Sequence, residues 1–243
     1  LTPGCLFQSL NREYLWFIIK KINMETNVAI LMADLSGYTA LTETHGAVSA
    51  ADLIDKYLLI AGNCLVGNSK LHQRTGDEIM FVADSTDDLL ATALKLALHT
   101  SKEEHFLQVH GGLHVGKVLK RADSYFGSAV NLASRIAAKA AAGTFWCSDE
   151  FVQAITDPSV CTFQSKGNQQ FKNINGEKEV FELVIDTVQS NHIDPVCRML
   201  ILDQQQAIRH PKESELYFCS SHCLDLYHGH HRVVPPLHNL HRI

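Results

Sequence analysis

The sequence has no long basic run, no apolar stretch of bilayer length and no secretory leader, and each absence closes a class of function. With 21 Lys and Arg against 26 Asp and Glu the net charge is -5, so nucleic acid is not expected as the main partner. The longest apolar cluster near the start, Tyr14–Ile19, is far shorter than the roughly 20 residues of a spanning helix and runs into Lys20 and Lys21. No membrane anchor is expected. Seven cysteines without a leader indicate a reducing, cytoplasmic setting, where thiols serve as core residues or metal ligands rather than as disulfides.

What is present fits a folded chain, with 46% apolar and 19% charged residues over 243 positions, enough for one sizeable domain and a small companion. Residues 27–33 read as a buried strand, 49–65 as a helix from the spacing of Ala50, Leu53, Ile54, Tyr57, Leu58 and Ala61, and 69–83 as a hairpin turning at Gly76-Asp77. A helix over 85–103, an alternating stretch over 107–115, an alanine-rich helix over 128–142 and strands at 143–147 and 179–186 complete an α+β sheet with helices mainly on one face. Residues 1–24 read as an extension or remnant, 25–186 as the main domain, 190–232 as a separate module and 233–243 as a tail. The module region is set apart by composition: eight of fourteen histidines and three of seven cysteines lie from His192 onward. At about 40 residues such a module usually needs a metal or disulfide staple.

Two aspartates stand where an apolar segment meets a glycine turn. Asp34 ends Val28-Ala-Ile-Leu-Met-Ala-Asp34 and precedes Leu35, Ser36, Gly37, Tyr38 and Thr39; Asp77 lies in Arg74-Thr-Gly-Asp-Glu-Ile-Met-Phe-Val82. Either alone reads as a helix cap or a turn residue. As a pair beside backbone amides at a helix entrance they suit Mg²⁺ with substrate phosphates, since hard cations take one or two carboxylates and keep the rest for water and phosphate. In Tyr125-Phe-Gly-Ser-Ala-Val-Asn-Leu-Ala-Ser-Arg135, Asn131 and Arg135 share a helix face and could grip a ribose and a phosphate, or simply face solvent.

The ordered set ADLSGYT, TGDEIMFV and YFGSAVNLASR resembles the catalytic domain of class III nucleotidyl cyclases over about residues 25–185. The resemblance implies a ferredoxin-like fold and a head-to-tail homodimer with sites at the interface. Asp34 and Asp77 would hold two Mg²⁺ or Mn²⁺ ions per active site, residues 35–39 would cradle the triphosphate of ATP or GTP, and Asn131 and Arg135 would come from the other subunit. The family's purine-selecting positions hold Gln73 and Ser124, neither the adenylate nor the guanylate pattern; Arg74 and Asp123 stand next to them. ATP is favoured by family base rate. Rival expectations are a catalytically silent nucleotide-binding and metal-sensing regulator, and a metal-handling protein whose C-terminal module carries the function.

That module has its own pattern: Asp194-Pro-Val-Cys-Arg-Met199, then Tyr217-Phe-Cys-Ser-Ser-His-Cys223. Cys219 and Cys223, a helical turn apart, with Cys197 from a facing loop, suit Zn²⁺ or another soft metal. The pattern resembles the YHS domain, related to the TRASH fold. His222, His192 and His228 are candidates for a fourth ligand. His110 and His114 read as packing or hydrogen-bonding residues, and Cys64 and Cys147 as core.

Overall fold

The computed structural model describes residues 25–185 and 192–231. The expected extension over 1–24 and the expected tail over 233–243 lie outside them, as do residues 186–191 and 232. The chain builds a large mixed sheet from β1 (Glu25–Ser36), β2 (Lys70–Thr75), β3 (Glu78–Ala83), β4 (Gln108–Arg121), β5 (Ser124–Phe126), β6 (Phe145–Ser148), β7 (Thr162–Gln170) and β8 (Glu177–Val184). The order across it is β2-β3-β1-β4-β6-β8-β7, with β5 added to β4. Every pairing is antiparallel except β4 with β6.

The apolar run of β1 is continuous because both its faces are covered. Ala29, Leu31 and Ala33 enter the main core with α1 (Tyr38–Asn63) and α2 (Thr86–Thr100), whereas Val28, Ile30 and Met32 pack under α3 (Ser128–Ala137). The helices are thus mainly, not wholly, on one face. Helix α1 begins eleven residues before the expected position 49, because Gly46 (φ 83°, ψ 170°) interrupts it and breaks the apolar spacing of its first turns. Helix α3 stops at Ala137, short of the expected 142. Strands β5 and β7 and a short helix, α4 (Asp149–Gln153), were not foreseen.

Gly112 fixes where α3 lies. A Cβ on it would stand 2.3 Å from the Ala137 nitrogen and 2.4 Å from the Ala133 carbonyl oxygen, both backbone atoms. Only a bare Cα lets the helix press onto β4. Gly112→Ala is therefore expected to destabilise the fold by about 1–3 kcal/mol through overpacking, read as a lower urea midpoint with an unchanged slope.

Residues 192–231 form two short hairpins, β9 (His192–Ile193) with β10 (Leu200–Ile201) and β11 (Ile208–Arg209) with β12 (Tyr217–Phe218), followed by α5 (Ser221–His231). Their small core centres on Cys197, Phe218 and Cys223. This part does not float free of the sheet. Leu200 exchanges backbone hydrogen bonds with the loop after α2, His105 N–H donating to its carbonyl at 3.1 Å and its own N–H to Phe106 O at 2.7 Å. Glu104 accepts from the N–H groups of Leu202 and Asp203 at 2.9 and 3.2 Å.

Candidate active site and cysteine cluster

Register places the two aspartates together. Ala33 of β1 pairs with Ile79 of β3, so the strand leads into Asp34 where the two-residue turn Gly76-Asp77 closes the neighbouring hairpin. Gly76 takes φ 65°, the left-handed conformation such a turn requires. The two carboxyl groups are close enough for each to shift the other's proton affinity. Burial, then the charge of Asp34, pushes the Asp77 carboxyl up to about 6; burial raises Asp34 as well, against the lowering effects of the Leu35 backbone hydrogen bond and of Asp77. Glu78 is raised by burial and by both aspartates.

Asp34 Oδ1 is buried without a hydrogen-bond partner among the described residues. An orphaned carboxylate oxygen beside a second carboxylate costs free energy until a cation meets it. The donor set therefore fits Mg²⁺ or Mn²⁺. A pH dependence follows. Asp77 titrates near 6 folded against 3.8 as its ordinary value, so the folded chain holds an extra proton between those values, and stability is lost as pH rises from about 4 to 6. Unfolding in buffer free of divalent cations should show that decline, and Asp77→Asn should flatten it.

His110, opposite Asp34 in the β1–β4 register, steadies the site from behind. Its Nδ1 lies 2.8 Å from Ser36 Oγ and its Nε2 3.9 Å from Asp34 Oδ2. His114 bonds Ser148 at 2.8 Å. Both histidines hydrogen-bond within the sheet, as their alternation suggested. Burial holds each imidazole below its ordinary value.

The Leu35–Thr39 segment turns through Gly37 (φ 95°), which caps α1 without a side-chain hydrogen bond, and no acidic residue occupies the first turn. No side chain caps the first amides of α1, and an uncapped helix start is the local condition under which an anion can bind. Gln73 and Ser124 are both exposed. A bulge between Leu71 and Gln73 turns His72 onto Tyr125, ring centroids 4.6 Å apart, and so brings β2 toward β5. Arg74, next to Gln73, is turned back on its own hairpin, its guanidinium donating to the Gly76 carbonyl at 2.8 Å. Asn131 and Arg135 are exposed on α3, and among the described residues neither makes a hydrogen bond or ion pair to Asp34 or Asp77.

The three C-terminal cysteines converge. Cys219 Sγ lies 3.5 Å from both Cys197 Sγ and Cys223 Sγ. Cys219 itself precedes α5, so the pair is not a helical i,i+4 pair as expected; the turn into the helix brings the sulfurs together. Fully buried Asp194 organises both loops, accepting from Cys197 N–H at 3.1 Å through one oxygen and from Cys219 N–H at 2.8 Å through the other. The thiols differ in acidity: the hydrogen bond with Cys197 lowers Cys219 and raises Cys197 in return, while burial pushes Cys223 up to about 12.

None of the three candidate histidines joins them. His192 pairs with Gln204 at 2.7 Å, His228 with His210 at 2.9 Å, and His222 is exposed. The imidazole that does is His45, near the kink of α1. Its Nε2 lies 3.6 Å from both Cys219 Sγ and Cys223 Sγ, and the ligand atoms of His45, Cys197, Cys219 and Cys223 all fall within 4.8 Å of one another.

With this geometry in place, the comparisons are specific. Residues 21–186 match the model of the adenylate and guanylate cyclase catalytic domain, and the chain belongs to that family. An uncharacterized protein of Mycobacterium tuberculosis is 33% identical over 133 residues, 54% of this chain and 35% of its own length. A protein of the same organism named pH-sensitive adenylate cyclase is 29% identical over 159 residues, 64% of this chain and 40% of its own. The chain thus spans little more than a third of the length of these curated relatives. Among solved structures, the adenylyl cyclase CyaB of P. aeruginosa superposes with a TM-score of 0.58 at 20% identity, covering 69% of this chain and 97% of that one. An adenylate/guanylate cyclase/hydrolase of Silicibacter pomeroyi gives 0.56 at 27%, covering 68% and 99%. The fold is the mixed α/β fold of class III cyclases. No helix among the described residues is long and apolar enough to cross a membrane.

Proposed function

We propose that this chain is a nucleotidyl cyclase, converting ATP in preference to GTP into the 3′,5′-cyclic nucleotide and pyrophosphate at the interface of a homodimer. The observation that carries the reading is the Asp34–Asp77 pair: two half-buried carboxylates, one oxygen unpartnered, beside the uncapped start of α1 in a cyclase fold. Asp34 and Asp77 would hold two Mg²⁺ or Mn²⁺ ions, which when bound lower the pKa of the attacking hydroxyl and neutralise the leaving phosphates. The backbone amides of residues 35–39 would bind the triphosphate, oriented by the helix dipole. Asn131 of a second copy would orient the ribose and Arg135 of that copy would donate hydrogen bonds to the α-phosphate as its charge grows.

The reaction needs no protein nucleophile. The ribose 3′-oxygen bonds to the α-phosphorus, the bond from that phosphorus to the bridging oxygen of the β-phosphate breaks, pyrophosphate leaves, and the hydroxyl proton passes to solvent. His110, tied to Ser36, would keep the Asp34 end of β1 in place. Gln73 and Ser124 would face the base; an amide that both donates and accepts does not alone choose a purine. Cys197, Cys219 and Cys223 would bind one Zn²⁺ or other soft metal in a YHS-type module.

The test is incubation of purified protein with ATP and, separately, GTP, each with Mn²⁺ or Mg²⁺, and quantification of cyclic product. Cyclic AMP in excess of cyclic GMP is the expected result. No product from either nucleotide, with divalent binding intact, would replace this reading with that of a silent nucleotide-binding regulator.

A further inference from the structure

We propose that His45 completes a Cys₃His metal site, so that one borderline or soft ion of the zinc class fastens the C-terminal module to the helix that starts at the nucleotide loop. The inference rests on the metal reading of the three cysteines, and not on turnover. Its first support is shape. For Zn–S near 2.3 Å and Zn–N near 2.05 Å, tetrahedral geometry sets the S···S edges at about 3.8 Å and the N···S edges at about 3.6 Å. The observed separations are 3.5 Å from Cys219 Sγ to each of the other two sulfurs and 3.6 Å from His45 Nε2 to the sulfurs of Cys219 and Cys223, the remaining two falling within 4.8 Å. Four of the six edges thus lie within about 0.3 Å of those of one tetrahedron, and the two from Cys197 to Cys223 and to His45 need close by no more than about 1 Å to complete it.

The second support is what surrounds them. Asp194 spends both oxygens on backbone N–H groups of the two cysteine loops, so it positions the ligands rather than competing as one. Simple packing of three cysteines gives no reason for an imidazole 174 residues away to point at the same spot. Gly46 adopts its non-helical conformation immediately after His45, ending the first two turns of α1 there.

The third is where the site lies. Cys197 is followed by Arg198, whose Cβ and Cγ stand 2.5 and 2.6 Å from the position a Cβ on Gly37 would take. The module therefore touches the Leu35–Thr39 segment directly while the ion would grip α1 about 10 Å further along, at 1.5 Å per residue. Bound metal would hold the start of α1 from two points. His45 is a positioning residue for the nucleotide loop and has no part in the chemistry itself.

The full chain, purified without a histidine tag and loaded with Zn²⁺, tests this without any nucleotide. One zinc per chain is expected by elemental analysis. His45→Ala should weaken zinc at least about tenfold in competition with a chromogenic chelator, a floor set by the loss seen when mere second-shell partners are removed. It should also shift the visible spectrum of the Co²⁺-substituted protein, and His45→Cys should restore affinity. Hydrogen exchange over residues 38–46 should quicken on zinc removal in the parent and be indifferent to zinc in His45→Ala. Should His45→Ala fold poorly, the parent still answers: bound Zn²⁺ should protect His45 from carbethoxylation, mapped by mass spectrometry. Unchanged zinc affinity and cobalt spectrum in a folded His45→Ala, modification of His45 indifferent to zinc, or failure of the reduced parent to bind zinc would each overturn the proposal. Cyclic-nucleotide output enters none of these readings, so a failure here and a failure of the cyclase reading remain separate.

Discussion

Asp77→Ala is expected to lower cyclic-nucleotide formation by about three orders of magnitude or more while leaving the domain folded. A metal ion at a transferring phosphoryl group supplies several kcal/mol of transition-state stabilisation, and each 1.36 kcal/mol is a decade of rate. The fold should not suffer, because Asp77 is not a structural ion-pair partner: its carboxyl is pushed up to about 6 by burial and by Asp34. Removing it relieves a repulsion. The variant should unfold at the same urea concentration as the parent in cation-free buffer, or at a higher one. Asp34→Asn should behave alike in rate, since an amide is a poor ligand for a hard divalent ion, with Ser36 and His110 retaining their own hydrogen bond. Undiminished turnover in Asp77→Ala would sink the metal assignment.

The second large effect is restoration rather than loss. Asn131 and Arg135 are exposed on α3 and make no contact with the aspartates of their own chain among the described residues. On the proposed dimer, Asp34→Ala and Arg135→Ala are each inactive alone but repair one another when mixed. Random exchange at equal concentration puts half the chains into heterodimers, each carrying one complete site of two, so about a quarter of the parent activity should return. Mass spectrometry of the mixture must verify the exchange. Verified heterodimers without activity would mean that the site is complete within one chain, and the interface would lose its role.

Much of this arrangement was legible because the relevant segments carry strong local signals. The apolar run of β1 is buried on both faces, and Gly76-Asp77 supplies the left-handed residue that a two-residue turn needs. Strand β7, Thr162-Phe-Gln-Ser-Lys-Gly-Asn-Gln-Gln170, was not legible: it is an edge strand, mostly exposed, with polar residues where alternation would show. Helix α1 was read too short because Gly46 suspends helical geometry at the point where pattern counting needs it. His45 was beyond reach for a different reason. Its meaning depends on tertiary docking between α1 and a hairpin 174 residues away, and three other histidines stood closer in sequence to the cysteines. Asp194 could have been suspected, as a carboxylate next to a proline and three residues before a cysteine suits a turn that folds back on its own N–H groups.

The backbone exchange between Leu200 and the His105–Phe106 loop bears on how this protein can be cut. The family match ends at residue 186, and a fragment trimmed there would look like a minimal catalytic unit. It would leave the His105 N–H and Phe106 carbonyl without their partners and strip Met199 from the edge of the main core. Arg198 would vanish from beside Gly37 at the same stroke. Rates measured on such a fragment would describe a molecule whose Leu35–Thr39 segment has lost a wall, and the homology boundary would have been mistaken for a mechanical one.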